Sequence, residues 1–504
     1  MKHYLARHFS RILTMRQIAL CCFLLIAAAA LAQSNPPAAT THVTSHSQPV
    51  PATVPALLVS DIHFEPFWDP DKVAQLVSAP VSEWRSILSA APSPDQQQRF
   101  ESLQQSCHAR GSDTSYPLFD SSLQAMRKSA AGAKFVTVSG DLLSHAFQCK
   151  YNTLIPGSSP TAYKTFVEKT LSFVIGQLKG AIPNVPIYIA LGNNDSDCGD
   201  YRLDAHSEFL SETGKDLTSD FPASERDSAR SDFSAGGYYS VSLPAPIQNA
   251  RLLVLDDIFM SKNYATCAGK ADPAAADAQL AWLRQQLAEA RAGKRKIWVM
   301  GHIPPGVDLY ATARKLTDIC GGQSPTMFLS SEKMVDVMAE YDDVIELVIF
   351  AHTHMDELRL LKQEGKVSTT RKGVAVKMVP SISPINGNHP SFTLAQIDPS
   401  TAKLVDYRVF AASNLTGVDA NWKEEYDFAS SFHKSEFTSS SLAELIAGFK
   451  ADPGGKAQAS QNYIQDFSVG SASPLLSIAW PQYVCTLTNF TQQAFKACVC
   501  PAVK

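Results

Sequence analysis

The sequence predicts a layered α/β fold. Three observations carry this reading. Short apolar runs of strand length recur along the chain, patterns of helical spacing lie between them, and turn-forming or polar residues close each run. The expected strands are 56–60 (ALLVS), 134–139 (KFVTVS), 185–191 (VPIYIAL), 238–243 (YYSVSL), 251–256 (RLLVLD), 296–301 (KIWVMG), 345–351 (IELVIFA) and 374–379 (VAVKMV). Ahead of the sixth run, residues 277–290 (DAQLAWLRQQLAEA) place Leu280, Leu283 and Leu287 on one face, the spacing of a helix packed on a sheet. Residues 413–504 read differently, as a small helical region held by cysteines.

The chain has 504 residues, 45% hydrophobic and 18% charged, an ordinary globular composition. Its first 32 residues carry Lys2, Arg7, Arg11 and Arg16 and no acidic residue. An apolar run extends from Ile18 to Ala32 and ends in Ala30-Leu31-Ala32, so residues 1–32 read as a secretory signal peptide. The run of 15 residues is short for a membrane span, which needs about 20. No other stretch is apolar enough to span, so the mature chain is expected in the periplasm or secreted, without a transmembrane segment. Residues 33–54, rich in Pro, Ser and Thr, read as a linker, and 55–412 as the main domain. Signal cleavage leaves 40 basic against 48 acidic residues, and no basic stripe remains, which argues against general nucleic-acid binding. Oligomeric state is not legible.

Eight cysteines remain in the mature chain, an even number that suits disulfides in an exported protein. None forms a CxxC pair, which argues against a structural zinc ribbon. Cys149 and Cys198 each come shortly after a polar loop, and the expectation is that they pair and clamp it.

The residues just beyond the strands carry the chemistry. After the first strand stand Asp61 and His63, after the second Asp141 and His145, after the third Asn193 and Asn194, after the sixth His302, and after the seventh His352 and His354. Open α/β sheets bind ligands beyond the carboxyl ends of their strands. A lone D-x-H or G-D is common by chance, and a lone histidine is more often a satisfied core residue. The ordered set is another matter. Asp61, His63, Asp141, Asn193, His302, His352 and His354 offer imidazole, carboxylate and amide donors that suit zinc, with manganese or iron as alternatives. One shared carboxylate can bridge two such ions.

The series D-x-H, G-D, G-N-[HN]-[DE], G-H and [GA]-H-T-H resembles the calcineurin-like metallophosphoesterase superfamily. The stretches GGYYSVSL, QLAWLRQQLAEARAGKRKIWVMGHIPPGVD, AHTHMDELRL and SISPINGNHPSF are similar to the acid sphingomyelinase-like phosphodiesterases. The resemblance implies a four-layer sandwich, two β-sheets flanked by helices. It implies two divalent ions: Asp61, His63 and His354 on one, Asn193, His302 and His352 on the other, Asp141 between. It implies hydrolysis of phosphodiesters, of a small molecule or a lipid head group, by a hydroxide bridging the ions. His145 matches a histidine placed over the phosphate; by its residues alone it could be a loop histidine bonded to backbone. Asn386 and His389, in the loop NGNHPSF, are candidate substrate contacts, and an ordinary Asn/Gly/Pro turn is the plain alternative.

The sequence departs from the pattern at Asn194, where a histidine is usual. An imidazolium can give a proton to a departing alkoxide, whereas an amide only hydrogen-bonds. Asn194 brings in a second reading, a phosphoanhydride hydrolase acting on polyphosphate or a nucleoside triphosphate. A non-catalytic surface binding module on the same fold is the third. The resemblance also suggests that Cys267 pairs with Cys320.

Overall fold

A computed structural model describes residues 53–362 and 373–500. The expected signal peptide, and all of the expected linker but its last two residues, lie outside the described residues. Residues 53 and 54 enter the first strand. Among the described residues, no helix is long and apolar enough to cross a membrane.

Two six-stranded mixed sheets form the centre. The first has the order β12-β11-β10-β1-β2-β3, with β1 Val54–Val59, β2 Val136–Val138, β3 Ile187–Ile189, β10 Ser391–Ile397, β11 Leu404–Ala412 and β12 Trp422–Asp427. Within it β1, β2 and β3 run parallel, and β10 joins β1 antiparallel. The second has the order β4-β5-β6-β7-β9-β8, with β4 Tyr239–Ser242, β5 Ala250–Val254, β6 Lys296–Met300, β7 Ile345–Phe350, β8 Glu357–Leu361 and β9 Val374–Met378. Here β5, β6, β7 and β9 run parallel.

The parallel strands are buried along almost their whole length, which is why they read as continuous apolar runs rather than alternations. The sheets pack face to face: Phe135, just before β2, meets the Trp298 ring of β6 edge-on at 5.6 Å. Tyr239 of β4 reaches the free edge of β3. Its hydroxyl donates to Ile189 O at 3.0 Å and accepts from Ile189 N–H at 2.8 Å, satisfying the groups a seventh strand would have taken. Helix Ala274–Ala292 covers the second sheet through buried Leu280, Leu283 and Leu287, as its spacing predicts.

The C-terminal part is not purely helical. The boundary expected at 412/413 falls in the β11–β12 hairpin, so β12 extends the first sheet before helices Ser439–Ala451, Gln458–Asp466, Pro474–Thr486 and Gln492–Val499 begin. Four disulfides close the fold: Cys107–Cys149, Cys198–Cys267, Cys320–Cys500 and Cys485–Cys498. Neither expected pairing occurs. Cys149 lies on helix Phe147–Leu154, which packs on the end of helix Gln96–Ser106 and so meets Cys107. The loop holding Cys198 pairs instead with the segment at 265–267, where Arg202 and Ala265 bridge as strand residues. Cys320 is taken by Cys500, just past the last helix.

Candidate metal centre

The parallel strands of both sheets end at one place. The turns after β1, β2 and β3 supply Asp61, His63, Asp141 and Asn193; those after β6 and β7 supply His302, His352 and His354. Five of these seven residues have left-handed backbone: Asp61 and His63 at φ 43°, Asp141 at 57°, His352 at 70° and His354 at 67°. Such torsions are costly outside glycine and cluster where a site fixes them. Two glycines explain how the turns fit. A Cβ on Gly192 would lie 2.2 Å from Asp141 Oδ1, and one on Gly140 would lie 2.7 Å from Gly192 N and 2.8 Å from His302 Nδ1. Bare backbone is the only thing that can pass here.

The side chains form two donor groups that share one oxygen. In the first, His63 Nε2 lies 3.2 Å from His354 Nε2, 3.3 Å from Asp141 Oδ2 and 3.8 Å from Asp61 Oδ1. In the second, His302 Nε2 lies 3.2 Å from the same Asp141 Oδ2, 3.1 Å from Asn193 Oδ1 and 3.3 Å from His352 Nδ1. The tautomers are fixed from outside. His63 Nδ1–H donates to Leu143 O at 2.8 Å and His302 Nδ1–H to Ser139 O at 2.7 Å, leaving each Nε2 free to offer its lone pair inward. Asn193 Nδ2 donates to Asp200 Oδ1 at 2.7 Å, which turns its amide oxygen toward His302. Lone pairs and carboxylate oxygens therefore converge, and Asp61 Oδ1 is buried without a hydrogen-bond partner. That arrangement fits a cation at each focus.

The electrostatics agree. Burial disfavours a charged His302, yet the Asp141 carboxylate outweighs it and holds the ring up at about 10. Burial pushes His63 down to about 4, helped by the positive His145 beside it. Burial lifts Asp61 to about 7, with Asp141 adding repulsion.

A family model described as calcineurin-like phosphoesterase matches residues 54–356. The chain belongs to that family. It is similar to sphingomyelinase phosphodiesterase C of Dictyostelium discoideum, 25% identical over 330 residues, covering 62% of this chain and 66% of that protein. It is similar to the cyclic GMP-AMP phosphodiesterase SMPDL3A of Rattus norvegicus, 27% identical over 66% of this chain and 70% of that one. It is also similar to acid sphingomyelinase-like phosphodiesterase 3b of Mus musculus, 23% identical over 78% and 79%. The match spans just under two thirds of the Dictyostelium relative.

In this calcineurin-like phosphoesterase chain, carboxylates behind the donors hold the turns. Asp195 Oδ1 accepts from Leu142 N–H and Leu143 N–H at 2.8 and 3.0 Å, and its Oδ2 from Gly192 N–H at 2.9 Å, tying the β2 turn to the β3 turn. Asp257 accepts from His302 N–H and Ile303 N–H, both at 2.9 Å. In the sequence Asp257 reads only as the end of a strand, and Asp195 and Asp200 carry no signal of their own. Tyr201 OH stands 3.2 Å from His352 Nε2.

His145 stacks on His63 with ring centroids 4.1 Å apart. Its Nδ1–H and its own N–H both donate to the buried Asp113 carboxylate, at 3.1 and 2.8 Å. Burial alone would lower the His145 pKa, but Asp113 raises it to about 9. Asp113 sits in a loop between helices, where no strand-end signal marks it. Asn194 donates from its backbone to Asp141 Oδ1 at 2.8 Å and from its amide to Asp141 Oδ2 at 3.0 Å. A cavity of about 690 Å³ opens beside His352, and Asn386 stands exposed on its wall. His389 is not on that wall; its backbone N–H donates to Ser468 O at 3.2 Å.

Proposed function

We propose that the chain is a phosphodiesterase dependent on two divalent ions. The observation that carries this is the single Asp141 oxygen shared by two donor groups, in a member of a phosphoesterase family. Asp61, His63 and His354 would hold one ion, Asn193, His302 and His352 the other, and Asp141 both. Zinc fits the imidazole-rich set best. Bound there, the two ions would polarise the phosphoryl oxygens and supply an activated water as nucleophile.

The rest falls to the chain's own side chains. His145, cationic at neutral pH and about a third exposed, faces the first donor group and is placed to meet a phosphoryl oxygen or to pass a proton to the leaving oxygen. Asp113 orients the ring and keeps it charged. The N-terminal signal and the four disulfides favour an exported protein.

One observation favours the phosphoanhydride reading. The Asn194 amide donates to Asp141 Oδ2, and an amide has no acidic proton to give a leaving group. A phosphate leaving group needs less protonation than an alkoxide. Hydrolysis of bis-p-nitrophenyl phosphate beside ATP, with and without chelator, separates the readings. A chelator-sensitive rate on the diester supports the phosphodiesterase. A rate on ATP alone turns the assignment to phosphoanhydrides, and no rate on either with metals loaded leaves a binding module.

A further inference from the structure

Lys150 and Glu65 are wholly buried close behind the turn that carries His145, and they form an ion pair. Taking two charges out of water is costly, and their attraction repays that cost only where geometry and further hydrogen bonds are good. Apolar side chains of the same volume serve stability as well or better. Stability alone therefore does not account for the pair, and its surroundings show what it holds.

The chain leaving β1 passes between two segments of the site. Phe64 bridges Thr114 on one side and Leu143 on the other, both in parallel register. Glu65 follows and is bonded to both sides. Its N–H donates to Thr114 O at 2.9 Å, one residue past Asp113. Its Oε1 accepts from Ser144 Oγ at 3.2 Å, one residue before His145. Its Oε2 accepts from Lys150 Nζ. Lys150 lies in the first turn of helix Phe147–Leu154, where its N–H donates to Ala146 O at 3.0 Å. The step from His145 into that helix is made by Ala146 at φ 54°, a left-handed torsion that a residue with a Cβ adopts only when its surroundings impose it. The disulfide from Cys149, the neighbour of Lys150, to Cys107 holds the same helix turn from its other side. One carboxylate thus ties both ends of the His145 turn, Ser144 before the ring and the helix after it. Lys150 also lies near enough to Asp113 to favour its ionised form, the form that orients the ring.

Building on the phosphodiesterase reading, we propose that Glu65 and Lys150 are positioning residues: the pair sets where the His145 ring stands beside the first donor group, and it acts on the reaction only through that ring. Both are wholly buried, so neither meets the substrate itself.

The test is a double variant, Glu65→Met with Lys150→Met, which removes both charges and keeps the volume. It is made in the parent chain and in a His145→Ala background. The double variant should melt at or above the parent, as replaced buried pairs do. Loaded with zinc, it should nevertheless show kcat/KM on methyl trifluoroethyl phosphate lower by about tenfold, the order of loss expected when a placed group shifts. The same two changes made after His145→Ala should cost nothing further, because residues that act through one another are not additive. Hydrogen exchange reads the turn without metal or substrate. The peptide over residues 142–149 should exchange faster in the double variant, and the peptide around Asp257 should not.

Equal losses of rate in both backgrounds overturn the proposal, since the pair would then act on the site at large. A double variant that melts well below the parent overturns it too, because the pair would be holding the fold and not the ring. So does exchange left unmoved over 142–149. A metal-loaded parent that hydrolyses no phosphoester defeats the phosphodiesterase reading instead, and exchange and melting then decide on the pair by themselves.

Discussion

The Asp113 carboxylate takes both N–H groups that His145 can turn toward it, the backbone one at 2.8 Å and the ring Nδ1–H at 3.1 Å. Ser383 Oγ donates to the same carboxylate at 2.8 Å, so Asp113 is itself held in place. The ring is fixed at its Nδ1 edge, which under the proposed function leaves Nε2 for the phosphate. This is the logic of a histidine oriented by a buried acid.

The first prediction rests on that pair. Replacing His145 with Ala should slow substrates with alkoxide leaving groups by ~10²-fold or more, the usual worth of a placed acid, and nitrophenolate esters far less. Asp113→Asn should act in the same direction and more weakly. The comparison is steady-state kcat/KM on paired substrates; equal losses on both would remove the acid role and leave only electrostatic support.

Metal content gives the second. The full chain should bind two divalent ions, and elemental analysis should find His63→Ala and His302→Ala each short of one. Asp141→Asn should lose more than either, because Asp141 Oδ2 faces both groups. Chelation should abolish hydrolysis, and adding zinc should restore it. An Asp141→Asn protein that still holds two ions would defeat the shared-oxygen assignment.

Gly192→Ala is the third. Its Cβ would stand 2.2 Å from Asp141 Oδ1 and 2.3 Å from Asp141 N, so the β2 turn must move. The expected cost to stability is ~1–3 kcal/mol, as for other overpacked sites. The loss of activity should exceed anything that cost explains. A variant that melts lower yet keeps full metal content and rate would show that the turn yields without disturbing the donors.

Much of this site could be read from the sequence, and the limits are physical. Each of the eight expected strands overlaps an observed one; all but β4, which pairs antiparallel with β5, are parallel strands, whose buried faces leave continuous apolar runs. The strands that were not expected leave a weaker mark. β12 reads WKEEYD, an edge strand with charged residues turned to solvent, and β10 carries Ser391, Thr393 and Gln396 among its apolar residues. Donor residues announce themselves by standing at strand ends. Asp113 and Asp200 sit in loops, and only the fold brings them to the site. Cysteine pairing was lost for the same reason, since nearness in sequence to a polar loop does not tell which helix faces a thiol. A non-reducing peptide map should therefore return 107–149, 198–267, 320–500 and 485–498. A 149–198 or 267–320 cross-link would overturn the arrangement around the loops.

The last prediction concerns pH and lies away from the donors. Burial, with Asp356 and Glu425 close by, pushes the Asp466 carboxyl up to about 7, and its Oδ2 has no hydrogen-bond partner. The unfolded chain would lose that proton near pH ~4. Between about pH 4 and pH 7 the unfolded state is thus ionised while the folded state still holds the proton, so stability falls as pH rises through this window and stays lower above it. Asp466→Asn keeps the size and removes the charge. It should leave the melting temperature near pH ~4 unchanged and raise it at about pH 8, by an amount worth on the order of 1–3 kcal/mol. Melting curves of the two proteins across that range should separate progressively as pH rises. Curves that run parallel would mean that Lys377, held against Asp356, already compensates the carboxylate.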